Sequence, residues 1–427
     1  MSSFNYYSRF LLLSFWLLSA IGHVQAQEKS PMGGKRTLGD LVGVALKNSQ
    51  LLGSQDARIQ QTRFSASQAR AWPGLSLDLS AGRKKVDSVR GPTRGFSLAQ
   101  PLPLLGKLGL QGDLLDLESE SWKIRREAMQ TQITLDVVQL AYDYTTNQRK
   151  AAFAGKRQMR FELIQDYLSG RVFPTPQRKA ESRIVRNHLN NLSSDAIQSK
   201  AHFEGSYESL KIYVPLESGE YPDIDVPWFS GEKGLDKNNA LPQLLKNNPD
   251  LRVQKLAVKS AELEKALASK IKLPDPSIGA SYDETRAGET EKEYGLGLSL
   301  ALPSWNLYRA GIRSAEQKRV AEEKQLGFEE QKQKAEMLRL LVEIEAARQT
   351  IQQYPKSLIA ELETQLGEAE NGFRKGQVDL LTFLELDGST AETYVRVLDA
   401  QRDFAAAMAH YMSLIGEPEP LKQLESF

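Results

Sequence analysis

The chain has 427 residues, a formal net charge of +1 and no cysteine. Near-zero charge argues against a nucleic-acid backbone as partner, and the missing thiols exclude disulfides, thiol catalysis and cysteine-ligated metal sites together. The length allows two or three ordinary domains or one duplicated architecture.

Arg9 precedes an apolar run over residues 10–18, and Val24-Gln25-Ala26 supplies small residues before Gln27. This pattern predicts a cleaved secretory signal over residues 1–26, too short to stay as a span. After it, no stretch approaches the roughly 18 apolar residues that a membrane helix needs. A membrane β-barrel, whose signal per segment is weaker, stays open.

A helix is predicted over residues 37–71, stopped by Trp72-Pro73-Gly74. Residues 75–82 alternate with period two, as a strand does. A turn region at Arg90-Gly91-Pro92 leads to a second alternating stretch over 95–99. A polar helix then runs over 107–169, roughly 90 Å at 1.5 Å per residue and longer than a globular domain is wide. Thr175 is a natural N-cap and Pro176 suits a first helical position, which starts a return helix over 176–212. Residues 213–237, rich in proline, glycine and acids, read as an irregular connection.

The same order then returns: a helix over 238–272, a stop at Pro274-Asp275-Pro276, strands over 278–282 and 294–302, and a long helix over 309–371. Pro355 predicts a kink in that helix, and Asp379 caps a return helix over 380–415. That last helix carries a coiled-coil seam, with Ala391, Leu398, Ala405 and Met412 at one heptad position and Tyr394, Gln401, Met408 and Ile415 at another. One glutamine weakens it. Met408 and Met412 read as core filler rather than metal ligands.

The chain is thus a duplication. Lys47-Asn48-Ser49-Gln50-Leu51 returns as Lys246-Asn247-Asn248-Pro249-Asp250-Leu251, and Ser169-Gly170-Arg171-Val172 returns as Lys375-Gly376-Gln377-Val378. The expected units are a first repeat over 27–212, the irregular segment 213–237, a second repeat over 238–416 and a tail over 417–427. A soluble half-buried sheet is one reading of the four strands. The signal peptide and the helix length favour a membrane barrel instead. An open sheet leaves edge groups unpaired in lipid, and four strands are too few to close, so a barrel requires an oligomer: three chains give twelve strands and two give eight.

With these pieces placed, the chain resembles the TolC-type outer-membrane channels, exit ducts of tripartite efflux pumps and type I secretion systems. The resemblance is carried by the run from Phe373-Arg374-Lys375-Gly376-Gln377-Val378 to Asp379-Leu380-Leu381-Thr382-Phe383-Leu384-Glu385, by the close Tyr411-Met412-Ser413-Leu414-Ile415-Gly416, and by a looser first turn ending in Phe173-Pro174-Thr175-Pro176. It implies a mixed fold: a homotrimer with a twelve-stranded transmembrane β-barrel, four strands per chain, continuing into a long periplasmic α-helical barrel built from the duplicated hairpins. It also implies outer-membrane lipid around the barrel, and hairpin tips at Gly170, Arg171, Val172 and at Gly376, Gln377, Val378 that dock a periplasmic adaptor beneath an inner-membrane pump, proton-driven or ABC. The family's acidic gate positions fall on Thr382 and Glu385. Three copies of Glu385 near the axis would form a like-charge ring favouring cations, while Asp387, two residues on, would point elsewhere.

The run from Gln100 to Gly106-Lys107, with Leu105 in place of a usual second glycine, is similar to the cobalt–zinc–cadmium efflux branch and implies metal cations as cargo. No cofactor is expected. Gly106-Lys107-Leu108 lacks the rest of a phosphate loop, and Leu300 stands where a dinucleotide fingerprint beginning at Gly295-Leu296-Gly297 needs glycine. The rival to the channel is a soluble periplasmic coiled-coil adaptor or scaffold, which has no need of two strand pairs.

Overall fold

The computed structural model describes residues 35–427 apart from 87–88, 171–174, 218, 220, 273 and 301–304. The signal-peptide expectation, the tip residues Arg171 and Val172, and Phe173-Pro174 lie outside the described residues.

The first half runs β1 (Arg36–Thr37), α1 (Leu38–Asn48), α2 (Gln50–Arg70), β2 (Ser76–Val86), β3 (Val89–Pro101), α3 (Lys107–Ser169) and α4 (Pro176–Leu210). After β4 (Ile224–Asp225), the second half runs α5 (Lys237–Asn247), α6 (Pro249–Ile271), β5 (Pro276–Ala287), β6 (Glu289–Leu300), α7 (Trp305–Gln352), α8 (Ser357–Arg374), α9 (Leu380–Ile415) and α10 (Pro420–Glu425). Among the described residues no helix is long and apolar enough to cross a membrane.

Each opening helix is two helices, which corrects the single ones expected over 37–71 and 238–272. Ser49 and Asn248 leave the helical region, and their side chains accept the Leu52 N–H at 3.3 Å and the Leu251 N–H at 2.9 Å. A side-chain cap restarts the helix at the cost of one residue, so the apolar period runs on across the break. The expected kink at Pro355 is likewise a full break. Proline has no N–H to donate; the Tyr354 N–H turns back to the Ile351 carbonyl at 3.0 Å, and α8 restarts beyond it.

The four long strands form one antiparallel sheet in the order β2-β3-β5-β6, so the two repeats join at the β3–β5 pair. The turn expected at 90–92 is strand instead. Arg90, Gly91 and Pro92 are inside β3, opposite Lys85, Lys84 and Arg83. Gly91 serves a close approach rather than a turn, because a Cβ there would lie 1.6 Å from the Arg286 carbonyl oxygen. Pro92 sits beyond the last β3–β5 pair, Thr93 with Thr285, so its missing N–H takes no bond from that ladder.

The helices run away from this sheet for about 95 Å, as 63 residues of α3 dictate at 1.5 Å per residue. Among the described residues their core falls into three clusters. The largest gathers Ile133 to Tyr144 of α3, Leu340 to Ile351 of α7 and Phe404 to Ile415 of α9 around the inter-repeat segment. That segment is strapped down: β4 pairs with β1, the Tyr142 and Tyr144 hydroxyls donate to the Pro227 and Pro222 carbonyls at 2.7 and 2.9 Å, and Arg348 donates to the Gly231 carbonyl at 2.8 Å. A second cluster joins Phe153 to Leu366, Tyr394 and Leu398, and a third closes the far end around Phe161, Val185, Phe373 and Phe383.

Candidate channel surfaces and hairpin tips

The sheet presents two unlike faces. Register places Leu77, Leu98, Ala280 and Leu296 in one row across the strands and Leu79, Phe96, Tyr282 and Tyr294 in the next. Phe96, Tyr282 and Tyr294 touch in series, with ring centroids 5.6 and 5.1 Å apart. Leu296 is 93% exposed and Leu79 76%. A soluble protein rarely leaves such a contiguous apolar patch bare. On the opposite face the matching rows are Ser76, Ala99, Gly279, Gly297 and Asp78, Ser97, Ser281, Gly295. One face suits lipid and the other suits water, with an aromatic row bounding the apolar band.

The junction between sheet and helices is a charged latch across the two repeats. Lys107, at the start of α3, is buried and sits 2.9 Å from Asp275, just before β5, while the Leu104 N–H donates to the same carboxylate at 3.1 Å. Burial pushes the Asp275 carboxyl up, but the Lys107 ammonium and the Leu104 N–H outweigh it and hold the group below its ordinary value. Gln100 donates to the Pro73 and Pro101 carbonyls, both at 2.9 Å. Leu105 and Gly106 carry the chain round with φ of +68° and +69°. Leu105 therefore occupies a left-handed position that favours glycine.

At the far end the two hairpins lean on each other. Gly376, at φ +74°, turns the chain so that the Gln377 N–H reaches the Gly372 carbonyl at 2.8 Å. The Tyr167 ring meets the edge of Phe373, and Phe373 stacks on Phe383. Arg160 donates to Glu370 at 3.1 Å, joining α3 to α8. Gly170, Gly376 and Gln377 are exposed and Val378 is half-buried against the apolar cluster.

The gate candidates Thr382 and Glu385 are both exposed and lie three residues apart on one face of α9. Thr382 belongs to the helix cap: its N–H and hydroxyl both reach the Asp379 carboxylate at 2.9 Å, and these bonds hold the Asp379 carboxyl below its usual range. Asp387 does point elsewhere, into the bundle. It is fully buried, accepts from Arg157 Nε at 3.3 and 3.2 Å, and lies 3.7 Å from His188 Nε2. Sequence reading left this link between α3, α4 and α9 undetected. A signal was present, since Asp387 shares a helical stripe with Phe383, Ala391 and Tyr394, where a charge needs a partner.

A helical trunk, an antiparallel sheet with one apolar face and paired hairpin tips define the fold of an outer-membrane channel. The family model described as outer membrane efflux protein matches residues 240–417. Solved structures share the fold over nearly the whole length. CusC matches with a TM-score of 0.68 at 15% identity, covering 91% of this chain and 95% of that one. The Campylobacter jejuni CmeC outer-membrane channel gives 0.71 at 14%, covering 91% and 90%. The Vibrio cholerae outer-membrane protein VceC gives 0.67 at 16%, covering 89% and 96%. No curated protein sequence matches. The family match falls on the second repeat, and the shared fold takes in the first, so both halves of this chain have the architecture of the solved outer-membrane channels. Its place is the outer membrane with the helices in the periplasm, and its role is that of an efflux exit duct.

Proposed function

We propose that three copies associate side by side into a closed twelve-stranded barrel and a continuous helical tunnel, a passive conduit rather than a catalyst. The observation that carries this is the sheet: β2 and β6 each have a neighbour on one side only, and an open edge next to an apolar face does not survive in lipid. Exposed apolar side chains along the trunk, Phe328, Leu338 and Val342 on α7 and Met159 and Leu163 on α3, supply flanks for neighbouring protomers. On this reading the tips at Gly170–Val172 and Gly376–Val378 dock a periplasmic adaptor beneath an inner-membrane pump, and Glu385, with Thr382 one turn earlier, stands at the narrowing. Metal cations as cargo are supported by the resemblance between Gln100 and Lys107 alone, because the structure gives both residues work at the barrel–helix junction.

Absence of natural cysteine makes the test clean. A chain carrying both Ser80→Cys on β2 and Gly295→Cys on β6 should give, with a bifunctional thiol reagent, a ladder that ends at three chains in detergent-extracted outer membrane. A ladder ending at two chains would replace the twelve-stranded barrel by an eight-stranded one, and recovery as a soluble periplasmic monomer would sink the channel reading.

A further inference from the structure

The apolar face of the sheet changes character just past its aromatic row. One row beyond Leu79, Phe96, Tyr282 and Tyr294 stand Ala81, Arg94, Glu284 and Lys292; the next holds Arg83, Arg286 and Thr290, followed by Lys85 and Arg90. The register is unbroken, so side chains two apart stay on one face. Contacts agree: the Tyr282 hydroxyl donates to Glu284 at 3.2 Å, and Arg286 pairs with the same carboxylate. Arg83, Lys85, Arg90, Arg94, Arg286 and Lys292 are exposed on this face, and among the described strand residues Glu284 is its only acid. The opposite face has the reverse balance, with Asp78, Asp283, Glu289, Glu291 and Glu293 against Lys84. A chain with a net charge of +1 has sorted its charges by sheet face.

Position says what the basic face meets. The aromatic row marks the interface between acyl chains and water, and rows succeed one another by about 7 Å along a strand. The basic rows begin one step outside that interface and continue toward the β2–β3 and β5–β6 turns, away from the helices. Helix ends sit at the other end of the strands, where α2 leads into β2 and β3 into α3. With the helices in the periplasm, these rows lie at the headgroup depth of the outer leaflet. Facing the lumen, such a belt would draw anions into the duct; facing lipid, it complements headgroup charge. Arginine forks match phosphate oxygens in pairs, and lysines add point charge.

The geometry points to a binding surface for phosphorylated lipid headgroups, formed by Arg94, Arg286 and Lys292 and extended by Arg83, Lys85 and Arg90. The occupant is a glycolipid of the outer leaflet whose sugars carry phosphate monoesters. This rests on the membrane placement proposed above.

The test uses the full chain purified in detergent, as wild type and as the triple variant Arg94→Gln, Arg286→Gln, Lys292→Gln. Thermal unfolding midpoints are measured with diphosphorylated lipid A, with the same lipid after phosphate removal, and with inorganic phosphate. Diphosphorylated lipid should raise the wild-type midpoint by several degrees, and the triple variant should lose more than half of that rise. The dephosphorylated lipid and inorganic phosphate should have little effect, and Arg94→Lys with Arg286→Lys should keep most of the rise. Single substitutions, each removing part of it, carry the comparison if the triple variant does not assemble. An equal rise in the triple variant, or with dephosphorylated lipid, would overturn the surface; an equal rise with inorganic phosphate would make it a free-phosphate site and overturn it as well. Recovery of the chain from the periplasm without detergent would instead overturn the membrane reading beneath it.

Discussion

Leu105 shows how much a single side chain can disclose. It holds φ at +68° while 48% exposed, so it gains little from burial and bears the left-handed cost of about 1–2 kcal/mol. Leu105→Gly is therefore expected to stabilise the protein by about 1 kcal/mol, measured as a higher unfolding midpoint in detergent. Asp387 is the opposite case. Removing one partner of a buried pair typically costs about 3–5 kcal/mol, so Asp387→Ala should lower the midpoint sharply, whereas Asp387→Leu combined with Arg157→Met should restore most of the loss. The pH dependence has a definite sign. Burial raises the Asp387 carboxyl, but His188 and Arg157 outweigh it and hold it below its ordinary value. A depressed folded value stabilises above the unfolded value of about 3.9 and loses that contribution as pH falls through the folded one. Acid unfolding below about pH 4 should thus be less steep in Asp387→Ala than in wild type, while between neutral pH and the unfolded value this group adds no slope.

Among the elements, α9 is where pattern and packing disagree most usefully. As a heptad position Gln401 looks like a flaw in an apolar seam. In the fold it is buried, its amide oxygen accepts the Phe229 N–H at 2.8 Å and its amide nitrogen donates to the Phe229 carbonyl at 2.9 Å. It closes the backbone of the inter-repeat segment as a neighbouring strand would. Coiled-coil logic expects Gln401→Leu to stabilise; the structure expects a loss of about 2 kcal/mol or more, since two buried backbone groups lose their partners. Denaturant unfolding of the two proteins separates these outcomes by sign. Asn248 works the same way between α5, α6 and α9, capping Leu251 while donating to the Leu414 carbonyl at 2.7 Å. Irregular points along the helices are thus where the halves are fastened.

For the whole molecule, charge placement and oligomer closure decide the behaviour. Glu385 is an exposed acid near the α8–α9 tip, and Asp387, its near neighbour, is spent on Arg157. If three protomers bring Glu385 to the axis, Glu385→Gln should lower the cation-to-anion permeability ratio in planar bilayers, and an unchanged ratio would remove Glu385 from the narrowing while leaving the fold intact. The acidic face of the sheet, with Asp283 and Glu293, should keep a residual cation preference in that variant.

Much of this protein is written locally. Period-two alternation marks which strand residues share a face, and Thr175 and Asp379 start their helices through bonds three residues away. The length of α3 follows from an uninterrupted helical stretch between Gly106 and Gly170. These features depend on backbone geometry over a few residues, which a linear reading captures. The fastenings do not. Gln401 meets Phe229 across 172 positions and Asp387 meets Arg157 across 230, and no local rule pairs them. The sorting of charge between the two sheet faces also stayed hidden, although every residue in it was in view. It appears only when β3 pairs with β5 and the register aligns four strands, because a row is a property of neighbouring strands and a sequence lists only one strand at a time.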